Sequence, residues 1–410
     1  MQLAKEKKQV VILYGATLGS VFLGVFSSII NTRFLDPVEY GDVRYVQNII
    51  TFVASLLLFG FFLSGSRLLA ISKDENNSRE IRGTMVVILA VASFILCLST
   101  TIAAFVHYNN GKIFTLFLFS LPICLRPLLT NYVNTTAQGD NHIGRLAFAR
   151  LAPPALYIGF AYLVYSQFGA TSVRMILLQW GLATLVLLGV IVSQRPSFSN
   201  LKEKFELLKK ENKQYGFHLY VGSLVMVSSS YLAGISLGFF NENNSEVGFY
   251  TLALTVTSPM AMLPSIIGTT YFKKFATLPS IPKKVFKATV ALTLGSCVCF
   301  VLLIKPIVIF LYTERYSVVG LYASILAVGF CIHGVGDMMN RYLGSHGLGK
   351  CIRNASVCNG IIKVFGYTFL VMLWNTKGAL ATTLICDIVY CLMILYYYIK
   401  FTKGQMNESV

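Results

Sequence analysis

The sequence predicts an all-α polytopic membrane protein, with about twelve transmembrane helices in two pseudo-symmetric six-helix lobes around a central cavity. Three observations predict it. Hydrophobic residues make up 55% of the 410-residue chain and charged residues only 12%, roughly half the charged share of a soluble domain. Apolar runs of about 20 residues recur along the chain, the length a helix needs to cross a bilayer. Loop motifs of the first half also return in the second at a nearly constant offset. Closed barrels also satisfy their backbone in lipid, but they show short alternating segments, whereas these runs are long and continuous.

The spans fall near 10–32, 43–66, 84–107, 113–137, 146–168, 172–193, 217–240, 247–272, 285–311, 317–343, 355–374 and 377–399. The first follows Lys5, Lys7 and Lys8, a charged start like that of a signal peptide. Its apolar run is too long for one and no clear small-x-small site follows, so an uncleaved helix is expected. Between the first two spans lies FLDPVEYGD, residues 34–42, a polar turn set by Pro37 and Gly41. The fourth span carries Pro122 and Pro127, which remove helix hydrogen bonds and favour a kink there. The longest loop, 194–216, has 23 residues, too few for a soluble domain. Within it Leu201, Phe205 and Leu208 share one helical face, as in a short interfacial helix. The nine cysteines lie mostly inside spans and read as small apolar packing. The expected organisation is an N-lobe, 1–193, a linker, 194–216, and a C-lobe, 217–410.

Lysine and arginine set the orientation. With both termini in the cytoplasm, the cytoplasmic segments hold 25 of the 34 basic residues and the outer segments hold 6. That asymmetry, together with anionic headgroups as neighbours, accounts for the net charge of +17 without nucleic acid as a partner.

Glu39-Tyr40-Gly41 shifted by 207 residues meets Glu246-Val247-Gly248. In QGDNHIGR and HGLGKCIR, Gly139 and Arg145 shifted by 208 meet Gly347 and Arg353. Six spans per half keep both halves in one orientation, so the repeat is parallel. Two such lobes with a seam between them suit alternating access.

Ionisable residues within spans are costly, and so are functional candidates. Arg126 lies midway along the fourth span. Lys363 in the eleventh span and Asp387 in the twelfth both lie roughly 17 Å below the outer turn at ~1.5 Å per residue, so they are expected to pair. The pair reads either as a structural lock between helices or as a coupling carboxylate tuned by its lysine. Asp337 and Arg341 are spaced i, i+4, for local stabilisation or gating. Lys305 stands near a span end, where it can snorkel. His333 reads as a packed, neutral histidine or a proton relay. Basic groups exceed acids at depth, so the cavity should take an anion such as a phosphate or diphosphate headgroup. Some of the 22 tyrosines could stack on sugar rings.

The stretch INTRFLDPVEYGDVRYVQNIITFVASLLLFGF resembles the first helical hairpin of the bacterial polysaccharide-biosynthesis flippases, the O-antigen (Wzx-type) lipid-linked oligosaccharide translocases. Their pattern of Arg, Leu-Gly-Pro, acid, aromatic and Gly meets Arg33, Leu35, Asp36, Pro37, Glu39, Tyr40 and Gly41 here, with Asp36 in place of glycine. SEVGFYTLALTV and IFLYTERYSVVGLYASIL resemble later family segments, with Thr313 where glycine is frequent. The resemblance extends over the whole chain in helix number and spacing. It implies a member of the multidrug/oligosaccharidyl-lipid/polysaccharide exporter superfamily in the bacterial cytoplasmic membrane. The implied substrate is an undecaprenyl-diphosphate-linked oligosaccharide, such as a lipopolysaccharide O-antigen unit. Its sugar enters the cavity while its tail stays in the bilayer. Membrane lipids and other polysaccharide assembly proteins are the implied partners. No cofactor is expected, and a proton or sodium gradient is the implied drive.

The substrate cations are then Arg126, Lys363, Lys305 and Arg33, and the coupling or gating set is Asp387, Asp337 and Arg341. A multidrug exporter of the same superfamily is the first alternative, although its cationic cargo calls for an acidic cavity. A membrane polysaccharide polymerase is the second, although it calls for a large outer loop. No buried His/Asp constellation in the sequence suggests acyl transfer.

Overall fold

A computed structural model describes the backbone of residues 2–72 and 74–408, with the side chains of 1–11 and of several other positions outside the description. Lys5, Lys7 and Lys8 fall in that excluded set. Fifteen α-helices follow one another among the described residues. They are α1 (Gln2–Phe34), α2 (Pro37–Leu56), α3 (Phe61–Ile71), α4 (Glu75–Val106), α5 (Gly111–Ser120), α6 (Arg126–Gly139), α7 (Ile143–Phe168), α8 (Ser172–Ser193), α9 (Leu201–Glu211), α10 (Phe217–Phe240), α11 (Ser245–Phe275), α12 (Lys283–Tyr312), α13 (Val318–Ser345), α14 (Gly349–Phe365) and α15 (Val371–Glu408).

Nine described stretches are long and apolar enough to cross a bilayer, or ten if the bent pair α2 and α3 is one span. One of the nine, 349–404, is itself a hairpin. Asn375 adopts φ 47° and ψ −130°, and the chain doubles back there. A Cβ on Gly378 would land on the Leu370 carbonyl, and one on Gly366 on the Thr382 side chain. Only glycine lets two helices approach this closely. The Tyr367 hydroxyl also reaches Thr383 Oγ1 at 3.0 Å. Nine or ten spans among the described residues come close to the twelve expected.

The chain forms two compact units, Met1–Tyr231 and Leu232–Val410. The hydrophilic linker belongs to the first. Leu208 on α9 is fully buried, Phe205 stacks on Phe61 at 6.2 Å, and Arg67 pairs with Glu211. Lys204 sits between Glu80 and Glu203. Desolvation lowers its pKa, but hydrogen bonds to those two acids outweigh it and hold the ammonium above the usual lysine value.

The second predicted span is not one helix. α2 stops at Leu56 and α3 resumes at Phe61 after a bend of 61°. Phe59 and Gly60 both have positive φ, 44° and 80°, which is costly for phenylalanine. Asn212 compensates across the break: its Nδ2 donates to the Phe59 carbonyl at 3.0 Å, and its Oδ1 accepts from Ser64 Oγ at 3.1 Å. The Tyr220 hydroxyl donates to the Leu56 carbonyl at 2.7 Å. Two freed carbonyls thus regain donors, as an interrupted membrane helix requires.

FLDPVEYGD forms the turn between α1 and α2, but with different residues in charge than expected. Asp36 is the N-cap of α2, accepting from the Glu39 amide at 2.8 Å, a bond whose loss costs about 1 kcal/mol. Pro37 is the first helical residue, where its missing N–H does no harm. Gly41 lies inside α2 and is buried, so it does not set the turn. Glu39 and Glu246 each occupy the first turn of their helix, where a negative charge meets the positive end of the helix dipole.

Candidate functional site

The fourth predicted span is interrupted as its prolines demand. α5 gives way to a 3-10 turn at Leu121–Ile123, and α6 begins at Arg126 with Pro127 in its first turn. Arg126 therefore stands at the N-terminus of a 14-residue helix that has no side-chain cap. The positive end of the dipole and the guanidinium add together there. The residue borders a cavity of about 280 Å³ whose wall includes Thr51, Ser55, Thr130, Asn131, Asn134 and Tyr231. Thr51 and Ser55 lie on one face of α2, and Thr130, Asn131 and Asn134 follow Arg126 along α6.

No acid answers Arg126 among the described residues. Its Cζ lies 5.4 Å from the centre of the Trp180 ring, a cation–π contact, and its Nε is buried without a hydrogen-bond partner. Arg44 is near enough to repel it electrostatically. Arg44 Nη1 donates to Gln47 at 2.8 Å and its guanidinium faces the Tyr40 ring at 4.9 Å. Its Nε is also buried and unpartnered. Gln47 in turn donates to Gln179 at 2.9 Å. Two guanidinium groups with spare donors and no paired carboxylate among the described residues are held in the first unit. A buried guanidinium with a spare donor beside a cavity is chemically fit for an oxyanion such as phosphate.

A second buried arginine in this unit does different work. Arg82 is 2% exposed. Its Nε is 3.0 Å from Asp140, Nη1 is 3.0 Å from Glu75, and Nη1 donates to the Gln194 carbonyl at 2.9 Å. Two carboxylates neutralise this charge, which ties α4 to the ends of α6 and α8. Neither Arg82 nor Arg44 is among the intramembrane charges that the sequence singles out. The pattern i, i+7 from Glu75 to Arg82 was the one local signal for the first, and nothing local marked the second.

In the second unit Asp387 is buried at 5% exposure. Its partner is His333, not the expected Lys363: Asp387 Oδ1 lies 3.0 Å from His333 Nδ1. Lys363 is half-buried on α14. Rise per residue estimates depth but does not fix which face of a helix looks inward, and α13 supplies the base beside Asp387. The His333 ring stacks on Tyr390 at 4.4 Å, and Tyr390 accepts from Asn340 at 2.6 Å. Asp387 Oδ2 is buried with no hydrogen-bond partner, and a Cβ on Gly329 would come within 2.8 Å of it. The glycine makes the room that this oxygen occupies. His333 Nδ1 is likewise buried without a hydrogen-bond partner, so imidazole and carboxylate face each other with hydrogen-bonding capacity to spare, which a small cation or a donor group could use.

Asp337 and Arg341 pair at 3.6 Å, and Asp337 also accepts from Ser265 at 2.6 Å. Lys305 is exposed on α12, its stem against Gly320, as snorkelling requires. Arg33 is exposed in the last turn of α1, where a cation suits the dipole. Of the four predicted substrate cations, only Arg126 borders the polar cavity. Glu246, which the sequence reading used only as a repeat marker, accepts from Tyr322 at 2.9 Å and Thr376 at 2.6 Å.

The family described as polysaccharide biosynthesis protein matches residues 7–272. No curated protein matches the chain. Among solved structures, a lipid II flippase, MurJ, in an inward closed conformation aligns with a TM-score of 0.77 at 14% identity, over 96% of this chain and 89% of that one. An inward-facing multidrug resistance MATE transporter of the MOP superfamily aligns with a TM-score of 0.71 at 15% identity, over 95% and 96%. At these identities the likeness is one of fold.

Proposed function

The chain belongs to the polysaccharide biosynthesis protein family, and on that premise we propose that it is a flippase for lipid-linked oligosaccharide. It moves an undecaprenyl-diphosphate-linked repeat unit, such as an O-antigen unit, from the inner to the outer leaflet of the bacterial cytoplasmic membrane. Both termini face the cytoplasm, as the basic loops require. The observation that carries the reading is Arg126: a guanidinium on a helix N-terminus without a side-chain cap, bordering a polar cavity, with no acid to neutralise it among the described residues. An organic cation would be repelled there, and a diphosphate would be held by charge-assisted bonds. Alternating access of the two lobes exposes the headgroup first to one side and then to the other. The Asp387–His333 pair is the coupling site, exchanging a proton or sodium ion as the conformation changes. The runner-up, a MATE-type exporter, shares the fold but calls for an acidic cavity.

The test is the fate of lipid-linked intermediates in a strain lacking the protein. Complete units should accumulate on the cytoplasmic leaflet, and wild-type protein should clear them. Arg126→Ala should slow clearance at least tenfold without changing the amount of protein in the membrane, and Arg126→Lys should restore part of it. Unpolymerised units on the outer leaflet would point to a polymerase instead. Normal clearance by Arg126→Ala, with heightened drug sensitivity of the deletion strain, would favour the exporter.

A further inference from the structure

A separate groove of about 570 Å³ opens on the first unit where its second span is broken. Leu57, Phe59 and Phe61 form one wall, Val87, Val91 and Ile95 of α4 the floor, and Phe205 of α9 the roof. The lining is almost wholly apolar, and the floor faces lipid: Val91 is 57% exposed and Ile95 40%. From Thr84 to Ile95, both in the lining, α4 climbs about 16 Å at 1.5 Å per residue. One leaflet's share of a hydrocarbon core about 30 Å thick is about 15 Å. The groove is therefore as deep as a single leaflet and open to it.

Its mouth carries a charge. Lys202 lines the groove and, unlike its neighbour Lys204, which Glu80 and Glu203 hold, it has no ion pair among the described residues. An apolar slot one leaflet deep with an unengaged ammonium at its head is the shape of an amphiphile with a hydrocarbon tail and an anionic head. The groove and the Arg126 cavity also share one helix end. Leu57 faces the groove, while Ala54, Ser55 and Leu58 face the cavity, so a helix end ~10 Å thick separates them.

We propose that this groove is the loading site of the lipid-linked substrate: a polyprenyl tail lies along Val87, Val91 and Ile95, and its diphosphate rests on Lys202 before passing to Arg126. This assignment rests on the flippase reading for the identity of the lipid. The alternative occupant, a bulk anionic phospholipid, has the same phosphate and is separated by competition.

Purified wild-type protein in nanodiscs is photolabelled with a diazirine-bearing polyprenyl diphosphate, and the labelled peptides are mapped. Labelling should concentrate on α4 around Val91 relative to Leu185 of α8, which is 68% exposed to lipid. Unlabelled polyprenyl diphosphate should compete it away and phosphatidylglycerol should not. Lys202→Glu should weaken the saturable binding roughly tenfold, and Val91→Trp, which fills the groove from its lipid face, should remove the α4 label. Saturable binding with even labelling of Val91 and Leu185 would overturn the groove and leave the flippase reading standing. Labelling at Val91 that phosphatidylglycerol competes away would assign the groove to phospholipid. No saturable binding of polyprenyl diphosphate anywhere would overturn both readings.

Discussion

Replacing Arg82 by alanine should destabilise the first unit by about 3–5 kcal/mol, the usual cost of stripping one partner from a buried ion pair. The magnitude follows from who is left behind. The Glu75 carboxylate is 71% exposed on its side chain and returns to water at little cost. Asp140 is only 5% exposed and would keep a buried charge with no counterion. The Gln194 carbonyl would lose the donor at 2.9 Å. Asp140→Asn leaves Arg82 with Glu75 and Gln194, so it should cost less, about 1.5–3 kcal/mol. For a unit of roughly this size each kcal/mol moves the midpoint by about 2–4 °C, giving a fall of roughly 6–20 °C for Arg82→Ala. Thermal unfolding of purified protein in detergent, followed by tryptophan emission, measures it. Trp180 is buried in this unit. A fall of less than 3 °C, or Asp140→Asn costing more than Arg82→Ala, would refute the idea that Asp140 is the partner that matters.

Further outcomes are expected at other sites. Gly329→Ala places a methyl within 2.8 Å of Asp387 Oδ2, so it should disturb the pair with His333; transport driven by an imposed ion gradient should fall severalfold while assembly persists, and unchanged ion dependence would argue against coupling there. Gly60→Ala combines a φ of 80° with a collision at the Gly216 carbonyl and should sharply lower the folded yield, measured by size-exclusion chromatography. Asn212→Ala removes both bonds at the break of the second span and should raise protease cleavage within 194–216; Asn212→Asp, which keeps the acceptor and loses the donor, should fall between. Asp36→Ala should cost about 1 kcal/mol, a small shift in the same thermal assay.

Much of this was legible in the sequence because lipid imposes a simple rule on it. Length and apolarity identify a spanning helix, so most helices and the proline break before Arg126 could be read directly. Phe59 shows what could not. The stretch 49–63 around it holds no charged residue, and its bend depends on Asn212, more than 150 residues further on. The Asp387 partner was missed for a related reason: spacing along one helix gives depth, but the choice between Lys363 and His333 depends on how α13, α14 and α15 are rotated. Arg44 and Arg82 escaped notice because a count of charges does not see the packing that encloses them.

Asn212 also changes where the chain can be divided. The most hydrophilic stretch, 194–216, looks like the natural place to cut, tag or replace with a flexible spacer. Its last residues instead serve as the missing rung of a membrane helix laid down far earlier in synthesis. Until the ribosome has made them, the second helix has its broken end uncovered. The first unit is therefore completed only once α10 has begun to emerge, and a fragment ending at residue 193 should be handled by quality control as an unfinished product.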